Sequence, residues 1–62
     1  MNSLEHEIQA IQDAFIQNQI SEEERNYLLT EIRDVRAATE CANDEQTFRL
    51  VVQACNIAMG VV

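Results

Sequence analysis

Apolar side chains recur along most of the chain at intervals of three and four residues, which places them on one face of an α-helix. Runs that alternate apolar and polar residues, as strands do, are nearly absent. The helical pattern falls into three segments, at about residues 3–18, 22–40 and 44–60. We therefore expect an all-α fold, a helical hairpin followed by an apolar C-terminal helix, within one small domain of residues 1–62 that assembles with other chains.

The first predicted helix carries a single apolar stripe. Its members follow one another at spacings of four, three and four: Leu4, Ile8, Ile11 and Phe15. Asn2 or Ser3 can act as the N-cap, and Glu5 stands where a capping box that starts at Asn2 requires it. The opposite face includes His6 and Asp13, so this helix is predicted to bury one side only.

The second predicted helix has the clearest start signal in the chain. Ser21 precedes three glutamates, and the side chain of Glu24 can close a capping box with it. The same carboxylates complement the positive end of the helix dipole. Leu28, Ile32 and Val35 follow at spacings of four and three, and this stripe is predicted to face the core.

The third predicted helix is apolar around most of its circumference. Asn43 can cap it, with Gln46 at the reciprocal position of a capping box. One stripe consists of Phe48, Val52, Cys55, Met59 and Val62, and a second of Leu50, Ala54, Ile57 and Val61. A helix of this kind is normally buried in a larger protein or assembly. We predict that the second stripe is an interface, the alternative being that the first two helices of the same chain cover both stripes.

A chain of 62 residues that begins with Met1 is expected to be one complete small protein whose core needs additional stabilisation. Cys41 and Cys55 are expected to be reduced and buried, a bridge between them being the lesser alternative. No metal site is predicted, because these cysteines and His6 lack the short paired spacings of zinc ligands. Association, with a second copy or with a larger protein assembly, is the remaining source of stability.

The formal net charge is −7, from 11 acidic residues and 4 arginines, with no lysine. Direct binding of nucleic acid or of an anionic membrane surface is therefore not expected, since both require basic patches. The apolar run of the third helix is also shorter than the roughly 20 residues of a membrane span. Arg25 and Arg36 flank the stripe of the second helix, where we expect helical pairs with Glu22 and Glu40 or, alternatively, ion pairs with a partner at an interface.

No combination of residues predicts catalysis. The glutamates at positions 22–24 have a sufficient structural role at a helix start, and His6 has no serine or second histidine placed to form a catalytic pair. The chain contains a single glycine, Gly60, so it has no glycine-rich phosphate loop. We predict neither enzyme activity nor a cofactor.

An Ile-Ser-Glu-Glu-Glu sequence at positions 20–24 follows a short link, Asn18-Gln19, and precedes a helix that contains Leu28 and Leu29. The segment from Gln17 to Asp34 resembles the helical hairpins of small bacterial and bacteriophage assembly proteins, including phage tail components. Its link lacks the glycine often found at that point. The resemblance implies a hairpin that serves assembly, and no functional residue is carried over from it.

Two functions remain open from the sequence. The first is a non-enzymatic structural or assembly protein that acts through helix–helix contacts, such as a component of a phage virion or tail. The alternative is an acidic inhibitor that binds a basic, nucleic-acid-binding protein, which the net charge favours. We expect a location in the cytoplasm of a bacterial cell or in a virion, because residues 2–13 contain no apolar run like that of a signal peptide.

Overall fold

The computed structural model describes residues 3–60, which form three helical rods joined by two turns. In chain order the elements are α1 (Ser3–Ile16), α2 (Glu22–Glu31), a π-helical segment (Ile32–Arg36), α3 (Ala37–Glu40) and α4 (Glu45–Met59). The three middle elements are continuous, and we call them together the central helix, residues 22–40. The predicted all-α fold is confirmed, and the described part of the chain contains no strand.

The turn after α1 is a Schellman motif centred on Asn18, whose φ of 60° lies in the left-handed region. The carbonyl of Phe15 accepts from the N–H of Asn18 at 3.0 Å, and the carbonyl of Ala14 accepts from the N–H of Gln19 at 2.8 Å. These bonds satisfy two carbonyls that the helix end would leave unpaired. Asparagine visits this conformation more readily than other residues with a side chain, so Asn18 takes the place of the missing glycine.

The central helix begins at the capping box that the sequence predicts. The Oγ of Ser21 accepts from the N–H of Glu24 at 3.1 Å, and Oε1 of Glu24 accepts from the N–H of Ser21 at 3.0 Å. Two of the backbone donors at this helix start are thereby satisfied, which fixes where the hairpin's second arm begins.

The predicted cap of α4 is wrong by one residue. The N-cap is Asp44 and not Asn43: its Oδ1 accepts from the N–H of Thr47 at 3.0 Å and its Oδ2 accepts from the hydroxyl of Thr47 at 2.6 Å. A carboxylate there also complements the positive end of the helix dipole. The helix ends at Gly60, whose φ is 77°. The predicted Asn2 cap of α1 lies outside the described residues.

The core lies where the three rods meet, and both thiols belong to it. The buried apolar residues are Leu4, Ile8, Leu29, Ile32, Ala37, Cys41, Val51, Cys55 and Ala58. On α1 the predicted stripe is buried at its first two members, while Ile11 is partly buried against the core. Cys41 and Cys55 are both buried, as the sequence predicts, and no disulfide joins them in the structure.

The predicted stripe of the central helix is wrong in two of its three members. Ile32 is buried, but Leu28 and Val35 are exposed. The cause is the π-helical segment, in which the N–H of Ala37 donates to the carbonyl of Ile32, five residues back instead of four. This wider turn brings Ala37 onto the buried face, so the core follows a register that an uninterrupted α-helix would not give.

Two arginines of the π-helical segment join the central helix to both of its neighbours. Nη1 of Arg36 donates to Oε1 of Glu7 on α1 at 2.7 Å, and Nη1 of Arg33 donates to Oδ1 of Asn56 on α4 at 2.9 Å. Since each turn reverses the chain, α1 and α4 run parallel to each other, and they are also in contact. No helix between residues 3 and 60 combines the length and the apolar character needed to cross a membrane.

Candidate functional site

The predicted interface stripe of α4 divides into an exposed part and a part at the edge of the core. Ile57 is 67% exposed and Leu50 is 48% exposed. Ala54 lies between them and is partly buried against the core. Val61 lies outside the described residues. The opposite side of the same helix supplies Val51, Cys55 and Ala58 to the core.

Beside the exposed part of this stripe, α1 and α4 enclose an open groove of about 410 Å³, which we call the docking groove. Ala54, Ile57 and Ala58 line it from α4. Four residues line it from α1, namely Ile8 and the polar side chains of Glu5, Gln9 and Gln12. The groove therefore has an apolar floor and a polar rim, which is the usual construction of a site for an apolar partner.

Small and polar residues keep the docking groove open. The alanines at positions 54 and 58 are one helical turn apart on α4, so two of the three residues that line this wall carry only a methyl group. On α1 the side chain of Gln9 is directed along its own helix, where its Nε2 donates to Oδ1 of Asp13 at 3.0 Å. The exposed side chain of Ile57 is therefore left beside an apolar floor instead of being covered.

Arg25, the first of the two arginines predicted as interface residues, is engaged within its own chain. Its guanidinium carbon lies 4.3 Å from the centre of the Phe15 ring, a cation–π contact between the two arms of the hairpin. Its Nε donates to Oδ1 of Asn26 at 3.1 Å, and its Nη2 lies 3.7 Å from a carboxylate oxygen of Glu22. The side chain is largely buried, so it holds the hairpin together and presents little surface to a partner.

Arg36, the second, bridges two carboxylates. Besides its bond to Glu7, its Nε donates to Oε2 of Glu40 at 2.8 Å. These two hydrogen bonds, to Glu7 first and to Glu40 second, raise the pKa of Arg36 above its ordinary value. The expected helical pairs of Arg25 with Glu22 and of Arg36 with Glu40 are both present.

The other two arginines also have carboxylate partners in the chain. Arg33 donates to both oxygens of Asp34, at 2.8 and 3.2 Å, and these bonds lower the pKa of that carboxyl group. Nη2 of Arg49 donates to Oε1 of Glu45 at 2.7 Å. Every arginine of this acidic protein is thus paired within 4 Å of a carboxylate of its own chain.

The side chains considered for chemistry are not gathered at one place. His6 is exposed on α1, while Cys41 and Cys55 are buried in the core. Burial raises the pKa of the Cys55 thiol to about 11, which disfavours the reactive thiolate. Among residues 3–60, no three histidine, cysteine, aspartate or glutamate side chains come together in a way that could hold a metal ion.

The α1 wall of the docking groove was not anticipated from the sequence. Gln9 and Gln12 lie on the polar side of an amphipathic helix, and a single-chain pattern gives no signal that they border an apolar site. A second exposed apolar area was also missed: Tyr27 and Leu28 form a shallow pocket of about 390 Å³ with Glu23 and Glu24 on the central helix.

Comparison of the chain with protein-family models, with curated proteins and with solved structures gives no match.

Proposed function

We propose that this protein is a non-enzymatic structural or assembly protein that acts by packing a helix into the docking groove. The observation that carries the proposal is the exposure of Ile57 beside an apolar floor made by Ile8, Ala54 and Ala58. An apolar helix face next to an unfilled groove is the arrangement that helix-in-groove complexes use.

Burial of the exposed Ile57 side chain is one source of binding energy at this groove. Full burial of an isoleucine side chain contributes about 1.5–3 kcal/mol, so covering the exposed part of Ile57, which is 67% exposed, would contribute about 1–2 kcal/mol. Contacts with the groove floor add to this amount. A core of this size rarely supplies more than about 3–5 kcal/mol of stability, so a bound partner would also stabilise the fold appreciably.

The resemblance of the Gln17–Asp34 hairpin to bacteriophage assembly proteins supports a place in a virion or tail within this proposal. The observed hairpin is compatible with that resemblance, because Ser21 caps its second arm and the Arg25–Phe15 contact joins its two arms. Hairpins of this kind present a helix pair as one rigid element, which suits assembly by helix packing.

The acidic-inhibitor alternative is supported by the net charge of −7 but less well by the placement of the acids. Several of them have structural partners in their own chain: Glu7, Glu22, Glu24, Asp34, Glu40, Asp44 and Glu45. A nucleic-acid mimic needs a row of carboxylates directed outwards to a basic protein. We therefore favour the assembly function.

The proposal is tested with Ile57→Asp and a matched control, Val35→Asp. Both positions are exposed β-branched residues, and both changes add one negative charge, but Val35 lies on the central helix, and no residue of that helix lines the groove. We expect Ile57→Asp to abolish association and Val35→Asp to leave it unchanged, with both variants remaining helical by circular dichroism. Association is measured as native mass by light scattering and as binding of labelled amphipathic helical peptides.

The proposal is wrong if the wild type is a 7.1-kDa monomer at every concentration and no amphipathic helix binds to it. It is also wrong if association persists at full strength in the folded Ile57→Asp variant, because the contact would then lie elsewhere.

A further inference from the structure

The stretch of α4 beside the docking groove carries no charge. From position 50 to position 60 the sequence contains no acidic residue, no arginine and no histidine, although the whole chain has a net charge of −7. Of the residues that line the groove, only Glu5 is charged, and it already interacts within its own chain. Two copies of an acidic chain repel each other where their carboxylates approach within about one Debye length. The groove is therefore a face on which a second copy can pack without bringing rows of like charges together.

The docking groove and the side chain of Ile57 are complementary in shape. Ile57 is large, apolar and 67% exposed, whereas Ala54 and Ala58 on the same helix carry only a methyl group. One chain thus presents both a projecting side chain and a place that can receive one. Twofold symmetry requires that a residue i which contacts residue j of the second copy is itself contacted by j of the first. A reciprocal pairing of Ile57 with Ala54 meets this condition and places a large residue against a small one at both contacts.

The directions of the helices also fit a twofold dimer. α1 and α4 are in contact and run parallel, so a twofold axis across the groove places the same helix pair of a second copy antiparallel to them. Four helices in two facing pairs form the packing of a four-helix bundle. The lining on α1 extends from Glu5 to Gln12, about 10 Å at 1.5 Å per residue. An axis through the middle of this stretch keeps the two Glu5 carboxylates at opposite ends of the site.

The face between α1 and α4 is large enough for a stable dimer. A standard interface buries roughly 800 Å² per partner, which is about one fifth of the 4321 Å² surface of this chain. The three helical rods contact one another in pairs, so the α1–α4 face is one of three two-helix faces. One face of three exceeds the required fraction, and the dimer therefore needs only the central part of this face.

We infer that the docking groove is occupied by a second copy of this chain, in a twofold dimer in which Ile57 of each copy packs against Ala54 of the other. This inference rests on the proposed function and narrows it from helix packing in general to a defined partner. The same apolar contact is made twice, so a change at Ile57 affects the dimer twice. Repulsion between the two acidic chains opposes the dimer and is screened by salt, so association should strengthen as salt rises.

Sedimentation equilibrium of the whole protein tests the inference, because it yields the dissociation constant of the dimer from about 0.05 M to about 0.5 M salt. The variants are Ile57→Ala, Ala54→Leu and the double variant, which exchanges the large and the small residue within one chain. Val35→Ala is the matched control, since Val35 is an exposed β-branched residue of the central helix, and no residue of that helix lines the groove. Circular dichroism verifies that each variant remains helical.

We expect the wild type to be in equilibrium between monomer and dimer, with a dissociation constant that falls as salt rises. Ile57→Ala should weaken the dimer at least about tenfold, because two buried aliphatic side chains are lost from each interface. Ala54→Leu should also weaken it, because two large side chains then meet at both contacts. The double variant should regain most of the lost affinity, since the introduced leucine faces the introduced alanine. Val35→Ala should leave the dissociation constant unchanged.

Other results overturn the inference in distinguishable ways. A wild type that stays a monomer but binds an amphipathic helical peptide, with binding lost in Ile57→Asp, would exclude the second copy and leave the proposed function intact. A monomer that binds no such peptide would refute both. A dimer that Ile57→Ala leaves intact would lie elsewhere and contradict both, and a dimer that weakens as salt rises would be held by ion pairs instead. A double variant no tighter than either single variant would refute the pairing of Ile57 with Ala54.

Discussion

Replacing each of two neighbouring leucines by alanine distinguishes the observed core from the one that the apolar spacing predicts. A regular helical stripe through Ile32 and Val35 contains Leu28, whereas the structure buries Leu29 completely and leaves Leu28 38% exposed. Because alanine is the best helix former, neither substitution weakens the central helix through intrinsic propensity. The difference between the two variants therefore reports packing alone.

Leu29→Ala should lower the free energy of unfolding by about 2–5 kcal/mol, since it removes buried methyl groups and leaves a cavity. Leu28→Ala should lower it by at most about 1 kcal/mol, because an exposed site loses little burial and can relax. With a total stability of roughly 3–5 kcal/mol, Leu29→Ala would be at the limit of folding. Urea denaturation followed by circular dichroism at 222 nm measures both, and at an m-value of about 1 kcal/mol/M the midpoint should fall by about 2 M or more for Leu29→Ala.

Leu29→Met is the control, because a swap that nearly conserves volume should cost less than about 1.5 kcal/mol and so shows that the position tolerates replacement. Equal losses for Leu28→Ala and Leu29→Ala, or a larger loss for Leu28→Ala, would refute this reasoning. The core would then follow the uninterrupted α-helical register, and the π-helical segment would not set it.

Three further results are expected. Hydrogen bonds from the side chain and then the backbone of Thr47 lower the pKa of Asp44. The Asp44 carboxylate therefore stabilises the fold above its unfolded pKa of about 3.9, and this stabilisation is lost as pH falls through the lower folded pKa. The difference in melting temperature between wild type and Asp44→Asn should shrink on acidification, and a constant difference would contradict the assigned cap. Gly60→Ala should lower the free energy of unfolding by about 1 kcal/mol, as measured by urea denaturation. The φ of 77° is strained for alanine, although no atom lies within 4 Å of an added Cβ. An unchanged urea midpoint would argue against the left-handed helix end. Burial raises the pKa of Cys55 to about 11, so at about pH 8 iodoacetamide should alkylate this thiol far more slowly in the native protein than in urea. Mass spectrometry follows the reaction, and equal rates would show that the thiol is accessible in the native protein.

The features that could be predicted from the sequence are those that short stretches of chain determine by themselves. The capping box at Ser21 needs only residues three apart, and the pairs of Arg25 with Glu22 and of Arg36 with Glu40 need only one helical turn. The cap of α4 was misassigned because Asn43 and Asp44 are adjacent and both suit the role; the choice depends on Thr47, whose hydroxyl adds a second bond to Asp44. Local chemistry therefore gives the helices and places their ends to within two residues.

The register of the central helix could not be predicted in the same way. Its sequence offers two apolar stripes that share Ile32, one continuing to Val35 and the other to Ala37. The second is adopted because α1 and α4 pack against the central helix from two sides, and the π-helical turn lets Arg33 and Arg36 reach one neighbour each. Non-local partners decide between the stripes, so no periodicity within the helix itself contains the answer.

The docking groove likewise depends on how α1 and α4 pack together, and not on either helix alone. The surplus of apolar residues on α4 indicates an interface, but it does not say whether α1 covers the second stripe. In the structure α1 stops short of doing so, because the side chains that border the groove from α1 at positions 9 and 12 are polar glutamines and not apolar residues. A chain that needed Ile57 only for its own core would gain from leucine or methionine at positions 9 and 12. Gln9→Leu and Gln12→Met should therefore stabilise the isolated protein in urea and at the same time block peptide binding, and a variant that gained stability without losing binding would show that the groove is not the contact surface.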